Sequence, residues 1–87
     1  MLTKRMTIRI PNGLEARPAA LLVQVASQYE SSIYIECEEK HVNAKSIMGM
    51  MSLGLAVGEE VVVSANGEDE ERAIHHIEEY LTSKEQG

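Results

Sequence analysis

The spacing of the apolar residues most constrains the fold of this 87-residue chain, because its period changes along the sequence. Residues 6–10 alternate, with Met6, Ile8 and Ile10 on one face, which is typical of a half-buried strand. Over 16–28 the apolar residues recur at i, i+3, i+4 and i+7, which predicts an amphipathic helix. Strand and helix patterns that follow one another in so short a chain favour two packed layers around one core.

The rest of the chain continues this change of pattern. Alternation and β-branched runs predict strands, while a serine and an aspartate predict helix starts. The predicted elements are a strand over 33–37, a strand over 41–43, a helix capped by Ser46 and ending near Leu53, a strand over 60–65 and a helix capped by Asp69. The order is therefore β-α-β-β-α-β-α, and we expect helices to cover one face of a sheet. The residues expected to face the core from the first and last helices are Ala19, Leu22, Val23, Ala26, Ile74, Ile77 and Leu81.

Composition excludes several classes of protein. The chain has no Phe or Trp, so its core has to be aliphatic, and its net charge of −6 argues against direct nucleic-acid binding. Cys37 is the sole cysteine, which rules out an internal disulfide and fits a reducing compartment. No apolar run approaches the roughly 20 residues of a membrane span, and the N-terminus lacks the apolar block of a signal peptide. We therefore expect a soluble cytoplasmic domain that does not bind a membrane.

Two short motifs carry the functional information. The first reads Gly-Leu-Glu-Ala-Arg-Pro over 13–18, and the second reads Asn-Ala-Lys-Ser-Ile-Met-Gly over 43–49. Together they resemble the HPr family, the phosphocarrier proteins of the bacterial sugar phosphotransferase system, and the resemblance extends over essentially the whole chain. It implies one α+β domain over 1–87, an open-faced β-sandwich with a four-stranded antiparallel sheet and three helices on one face.

Glu15 stands where the family has the histidine that carries the phosphoryl group, while Arg17 matches the family's neighbouring arginine. A carboxylate cannot form the labile phosphoramidate, so we expect a degenerate phosphohistidine site that transfers no phosphoryl group. A regulatory relative in the family carries glutamine at this position. Glu15 is either an ordinary helix-start carboxylate or a partial mimic of the charge of phosphohistidine. A lone carboxylate, with no second acid, base or nucleophile beside it in sequence, gives no basis for an enzyme.

Ser46 precedes a short helix that has two apolar arcs. One arc holds Met50 and Leu53, and the other, spanning roughly one third of the helical circle, holds Ile47, Met48 and Met51. Either the core clamps both arcs, or one arc is left exposed for a partner. The serine taken alone is a plain N-cap, whereas the family resemblance implies a phosphorylation site beside an exposed docking patch. The partner-binding residues implied by the resemblance are Arg17, Ala20, Leu21, Gln24, Ser46, Ile47, Met48 and Met51.

The resemblance further implies a regulator rather than a carrier. In this interpretation HPr kinase/phosphorylase uses ATP to phosphorylate Ser46. The phosphoserine form is then a corepressor for the catabolite control protein, a LacI-type transcription factor of carbon catabolite repression. The chain itself contacts no nucleic acid and needs no cofactor, and a homo-oligomer is compatible with this role. The alternative is a phosphocarrier whose active-site histidine has been replaced.

The remaining candidate ligands have plain structural interpretations. His75 and His76 are adjacent on the last predicted helix and point roughly 100° apart, so they cannot easily share a metal ion. We expect a solvated helix face for both and a surface position for His41. Cys37 alternates with buried positions and is expected to be a buried thiol. No metal site is predicted.

Overall fold

The computed structural model describes residues 1–10 and 16–83. Within them the order of elements is β1 (Leu2–Thr7), α1 (Ala16–Ser27), β2 (Ser32–Cys37), β3 (Lys40–Asn43), α2 (Ile47–Leu53), β4 (Glu60–Asn66) and α3 (Glu70–Thr82). The predicted order β-α-β-β-α-β-α is therefore confirmed. None of the described helices is long and apolar enough to cross a bilayer.

The four strands form one sheet in the order β1-β4-β2-β3, and every neighbouring pair is antiparallel. β4 is paired on both sides, with Val61 opposite Met6 of β1 and Val63 opposite Ile35 of β2. Ile35 in turn lies opposite Val42 of the edge strand β3. α3 packs on β1 and β4, α2 packs on β3, and α1 contacts the other two helices. The expected open-faced sandwich with an antiparallel sheet is confirmed.

The core lies between the helices and one face of the sheet, and it is aliphatic throughout. Alternate residues of the central strands point into it, because side chains on a strand alternate between the two faces. The buried strand residues include Ile33, Ile35, Val61, Val63 and Ala65. All seven core-facing helical residues predicted from periodicity are buried, which confirms both helical stripes: Ala19, Leu22, Val23, Ala26, Ile74, Ile77 and Leu81.

The first strand begins and ends earlier than predicted. Alternation indicated a strand over 6–10, but β1 spans Leu2–Thr7, although Ile8 and Ile10 are buried as expected. The reason is the extent of its partner, since Thr7 already pairs with Glu60, the first residue of β4. Beyond that point the backbone N–H of Ile8 donates to Glu59 O at 2.9 Å, outside the strand ladder.

Asp69 precedes α3 as predicted, but its side chain does not cap that helix. In the described part of the chain its carboxylate makes no capping bond to α3. It accepts instead from the backbone N–H of Glu30 at 2.8 Å, from the N–H of Ser31 at 3.0 Å and from the Ser31 hydroxyl. The N–H of Gly67 donates to Glu70 Oε1 at 3.1 Å. Asp69 therefore joins the turn after α1 to the start of α3.

We predict that Gly67→Ala destabilises the protein because Gly67 lies against Ser31. A Cβ at this position would be 2.7 Å from Ser31 Cα, a backbone atom that cannot rotate away. The free energy of unfolding in urea should fall by about 1–3 kcal/mol, as for other overpacked sites. Gly49→Ala is the control, since its Cβ would meet no atom closer than 3.4 Å. Equal stability of the two variants would contradict the prediction.

We also predict that the stabilising effect of Asp69 depends on pH. The pKa of Asp69 is lowered, chiefly because the Ser31 hydroxyl donates to the carboxylate and then because the Glu30 N–H does so. A lowered pKa in the folded state stabilises the protein above the unfolded value, about 3.9, and this contribution disappears as pH falls through the folded value. Asp69→Asn should therefore lower the melting temperature at pH 7, and the difference from the parent should shrink below about pH 4.

The exposed Glu68→Gln change is the control for the Asp69→Asn series, and its effect should be small at every pH. A difference between the parent and Asp69→Asn that stays constant from neutral to strongly acid pH would contradict the prediction.

Candidate functional site

The loop before α2 is shaped by Asn43. Its side-chain Oδ1 accepts from the backbone N–H of Lys45 at 2.8 Å, and its backbone carbonyl accepts from Ser46 N at 3.0 Å. These two bonds form a tight turn of the kind that asparagine favours, because its short side chain can bond the backbone two residues on. The turn carries the chain directly from β3 into α2 and places Ser46 at the start of that helix.

Ser46 is the N-cap of α2, as predicted. Its backbone is extended, with φ −108° and ψ 115°, and its Oγ accepts from the N–H of Gly49 at 3.1 Å. The capping bond satisfies one of the helix-start donors that have no partner within the helix. Ser46 is nevertheless an exposed residue, so a macromolecule in solution can approach it.

The two apolar arcs of α2 have different environments. Met50 and Leu53 are buried in the core. The exposed fractions on the other arc are 46% for Ile47, 82% for Met48 and 47% for Met51. Of the two alternatives that the helical pattern left open, the structure therefore selects the one in which the second arc is open to solvent, as the family resemblance implied.

α1 presents an outer stripe on the face opposite its core residues. Arg17, Leu21 and Gln24 are exposed and follow the spacing i, i+4, i+7, while Ala20 beside them is partly buried. Leu21 is 40% exposed. α1 contacts α2, and each of these two helices presents exposed apolar residues. We define the apolar patch as Leu21, Ile47, Met48 and Met51, and the outer stripe of α1 as Arg17, Leu21 and Gln24. Glu15 lies outside the described residues.

Two lysines bond to backbone carbonyls at the ends of these helices. Lys45 Nζ donates to Tyr29 O at 2.6 Å, just past α1, and Lys40 Nζ donates to Ser52 O at 3.1 Å, in the last turn of α2. Both cations lie where unpaired carbonyls and the negative end of the helix dipole attract them. Sequence reasoning missed both contacts, because neither lysine belongs to the helix whose end it reaches. Each contact joins residues that are 12 or more positions apart in the sequence.

The histidines differ from one another in environment. His41 is exposed as expected and stacks on Tyr34 with ring centroids 4.8 Å apart. His75 is also exposed, but His76 is partly buried, and its Nδ1 lies 2.7 Å from the Tyr29 hydroxyl. The expected solvated face is therefore wrong for His76, because Tyr29 at the end of α1 packs against it. Within 1–10 and 16–83 no three His, Cys, Asp or Glu side chains are grouped so that they could hold a metal ion.

Cys37 is partly exposed rather than buried, which corrects the expectation of a buried thiol. It is the last residue of β2, opposite Lys40 at the end of the strand pair, where the buried alternation of the strand ends. The pKa of its thiol is raised, first by desolvation and then by the negative charges of Glu59 and Glu38. A thiol with a raised pKa is a poor nucleophile at neutral pH.

Comparison with known proteins identifies the family. A family model described as the PTS HPr component phosphorylation site matches residues 2–83. The chain belongs to the HPr family. It is 46% identical over 81 residues to the HPr-like protein Crh of Bacillus subtilis (strain 168), covering 93% of this chain and 95% of that protein. The family resemblance inferred from the two motifs is therefore confirmed.

Solved structures of the family support the same fold. HPr-C-His from Thermoanaerobacter tengcongensis superimposes with a TM-score of 0.91 at 50% identity, covering 97% of this chain and 94% of that one. Selenomethionyl Crh of Bacillus subtilis superimposes with a TM-score of 0.77 at 42% identity, covering 100% of both chains, and is described as a dimer with a swapped domain. These similar proteins are described as HPr or Crh, names of phosphocarrier or regulatory proteins rather than of enzymes.

We predict that two adjacent methionines of α2 differ sharply in their effect on stability. Met50→Ala should lower the free energy of unfolding by about 2–5 kcal/mol, because the Met50 side chain is fully buried. Met51→Ala should change it by less than about 1 kcal/mol, since that side chain is half-exposed. Urea denaturation of both variants measures the difference. Similar losses in the two variants would show that the outer arc of α2 belongs to the core.

Proposed function

We propose that this chain is a Crh-type regulatory protein of carbon catabolite repression. HPr kinase/phosphorylase phosphorylates Ser46, and the phosphorylated chain acts as corepressor of the LacI-type catabolite control protein. The observation that carries this proposal is the exposed position of Ser46, which directly precedes Ile47 and Met48 of the exposed apolar patch. The similarity to Crh supports the same function.

The position of Ser46 suits a phosphate. A phosphoserine adds about two negative charges and three acceptor oxygens. At the start of a helix these charges meet N–H groups and the positive end of the dipole, so modification does not require unfolding. Ile47 and Met48 follow directly and are exposed. A partner with basic side chains around an apolar groove recognises both the charge and the patch.

The docking surface of this proposal combines the two helices. α2 contributes Ser46, Ile47, Met48 and Met51, and α1 contributes Arg17, Ala20, Leu21 and Gln24. Met side chains adapt easily to a partner, because they are unbranched and flexible. The guanidinium of Arg17 supplies the cationic group of this surface and suits a carboxylate on the partner.

The net charge of −6 fits a partner that is a protein rather than nucleic acid, so contact with DNA is made by the transcription factor. ATP-dependent phosphorylation and a transcription factor as partner both place this function in the cytoplasm. Bacillus subtilis Crh is described as a dimer with a swapped domain, so we propose a homodimer as a second state of this chain. Light scattering of the purified protein tests it.

The second candidate function is that of a phosphocarrier whose active-site histidine has been replaced. It is favoured by the 50% identity to the HPr of Thermoanaerobacter tengcongensis. Glu15 cannot carry a phosphoramidate, so this alternative is tested with a Glu15→His variant. Phosphorylation of that variant by enzyme I and phosphoenolpyruvate, together with restored sugar transport, would favour the phosphocarrier.

We predict that Ser46 is the residue phosphorylated. The purified chain is incubated either with HPr kinase/phosphorylase and ATP or with enzyme I and phosphoenolpyruvate, and intact mass is measured. One phosphate should appear in the reaction with the kinase and ATP, and none in the reaction with enzyme I and phosphoenolpyruvate. Ser46→Ala should abolish the phosphorylation by the kinase. Ser52→Ala is the matched control, because Ser52 is an exposed serine of the same helix whose hydroxyl donates to Gly49 O at 2.7 Å. Full phosphorylation of Ser46→Ala, or its loss in Ser52→Ala, would contradict the prediction.

We predict that Glu15 weakens corepressor binding modestly. If its carboxylate partly mimics phosphohistidine, the Ser46-phosphorylated Glu15→Gln variant should bind the catabolite control protein more tightly than the phosphorylated parent does. The gain should be on the order of 1 kcal/mol at low salt and smaller at high salt, because exposed charges are screened.

The measurement is a titration of the catabolite control protein at two salt concentrations. Phosphorylated Met51→Ala serves as the reference for lost docking, since an interface anchor can contribute more than about 2 kcal/mol. Equal affinity of the parent and Glu15→Gln would dispose of the mimicry, and unchanged affinity of Met51→Ala would exclude the apolar patch as the docking surface.

A further inference from the structure

We propose that Tyr80 is a positioning residue for the docking surface: its hydroxyl holds the first turn of α1 in place and thereby sets the position of Arg17. This inference rests on the proposed function and assigns a role to a residue of α3 that lies outside the two motifs. Three observations support it. They concern the Tyr80 hydroxyl, the neighbouring Leu81 carbonyl and the hydroxyl of Tyr29, which lies just past α1.

The first observation is the hydrogen bond between α3 and α1. Tyr80 lies in the last turn of α3, is partly buried and packs against the core. Its hydroxyl donates to the carbonyl of Pro18 at 2.9 Å. Pro18 lies in the first turn of α1, between the exposed Arg17 and the buried Ala19. Burial raises the pKa of Tyr80, so the hydroxyl stays protonated and available as a donor.

The second observation concerns the neighbouring residue of α3. The carbonyl of Leu81 accepts from the N–H of Arg9 at 2.7 Å and from the N–H of Ile10 at 3.3 Å. Leu81 is completely buried. The consecutive residues Tyr80 and Leu81 therefore bind two segments of the chain. Leu81 binds the residues that follow β1, and Tyr80 binds the first turn of α1. Both belong to a turn of α3 that is anchored by the buried Leu81 side chain.

The third observation is that a second tyrosine, Tyr29 in the turn just past α1, binds α3 near the opposite end of α1. The Tyr29 hydroxyl lies 2.7 Å from His76 Nδ1 of α3. Each tyrosine hydroxyl thus forms one bond, Tyr80 between α3 and the first turn of α1 and Tyr29 between α3 and the turn after α1. Only the bond of Tyr80 reaches the end of α1 that carries Arg17, so Tyr29→Phe is a matched control for Tyr80→Phe.

Loss of the Tyr80 hydroxyl leaves the ring packed against the core and frees the first turn of α1. The first turn of a helix has fewer internal hydrogen bonds than its middle and frays most easily. Arg17 then has to be ordered when the partner binds, and the loss of conformational entropy weakens binding. The part of the docking surface on α2 is held independently by the Ser46 cap and by buried Met50 and Leu53.

The experiment is a double-mutant cycle on the Ser46-phosphorylated protein, with affinity for the catabolite control protein as the readout. Tyr80→Phe should weaken binding about three- to tenfold, as expected for residues coupled through a shared element. Tyr29→Phe should leave affinity within about twofold of the parent. In an Arg17→Ala background, Tyr80→Phe should have no further effect. Equal loss in Tyr80→Phe and Tyr29→Phe, or an undiminished loss in the Arg17→Ala background, would overturn the positioning role.

A second measurement needs no partner. Amide hydrogen exchange of the unphosphorylated protein should be faster at Ala20 and Leu21 in Tyr80→Phe and unchanged there in Tyr29→Phe, because these N–H groups bond to the first-turn carbonyls. If the phosphorylated parent fails to bind the catabolite control protein, the proposed function fails. The exchange result then decides the positioning role separately. Faster exchange in Tyr80→Phe alone supports it, and equal exchange in both variants overturns it.

Discussion

The rest of the structure depends on covering one face of the sheet with aliphatic side chains alone. β4 is one of the two central strands, since it pairs with both β1 and β2, and its residues Val61, Val63 and Ala65 are buried. The chain has no Phe or Trp, and Tyr29 and Tyr80 are only partly buried against the core, so many smaller aliphatic side chains fill the space above the sheet. All three helices have to contribute a buried stripe. Each helix then keeps an outer face, and on α1 and α2 part of that outer face is apolar and exposed.

The short helix α2 is attached to the fold through one of its two apolar arcs, while the other arc is exposed. Met50 and Leu53 attach it to the core, and Ser46 caps its first turn. Gly54, with a φ of 58°, ends it in the left-handed conformation that glycine adopts most easily. The outer residues of this helix are therefore free to serve recognition. In the proposed function, a phosphate on the capping serine would add charge beside them without changing the buried contacts that hold the helix.

Hydrogen bonds at or near the ends of the helices join segments that are far apart in the sequence. Asp69 joins the turn after α1 to α3, Lys45 reaches the carbonyl of Tyr29, and Tyr80 reaches Pro18. Aliphatic packing is not directional, so by itself it leaves helices some freedom to slide over a sheet. Hydrogen bonds require defined distances and angles, and at these three places they limit that freedom. They consequently constrain how α1 lies relative to α3 and to the loop before α2.

The sequence alone determined the order of elements, the buried stripes of α1 and α3, the cap of α2 and the family, because each follows from local periodicity or from a contiguous motif. Helical periodicity left open which apolar arc of α2 is exposed, and the structure exposes the arc that the family resemblance implied. Tertiary structure alone decided where β1 ends and which partners Asp69, His76 and Tyr80 bind. The physical reason is the same in each case. A strand ends where its partner ends, and a polar side chain bonds to whichever distant group the packing of the core brings within reach, so these features depend on contacts between residues far apart in the chain.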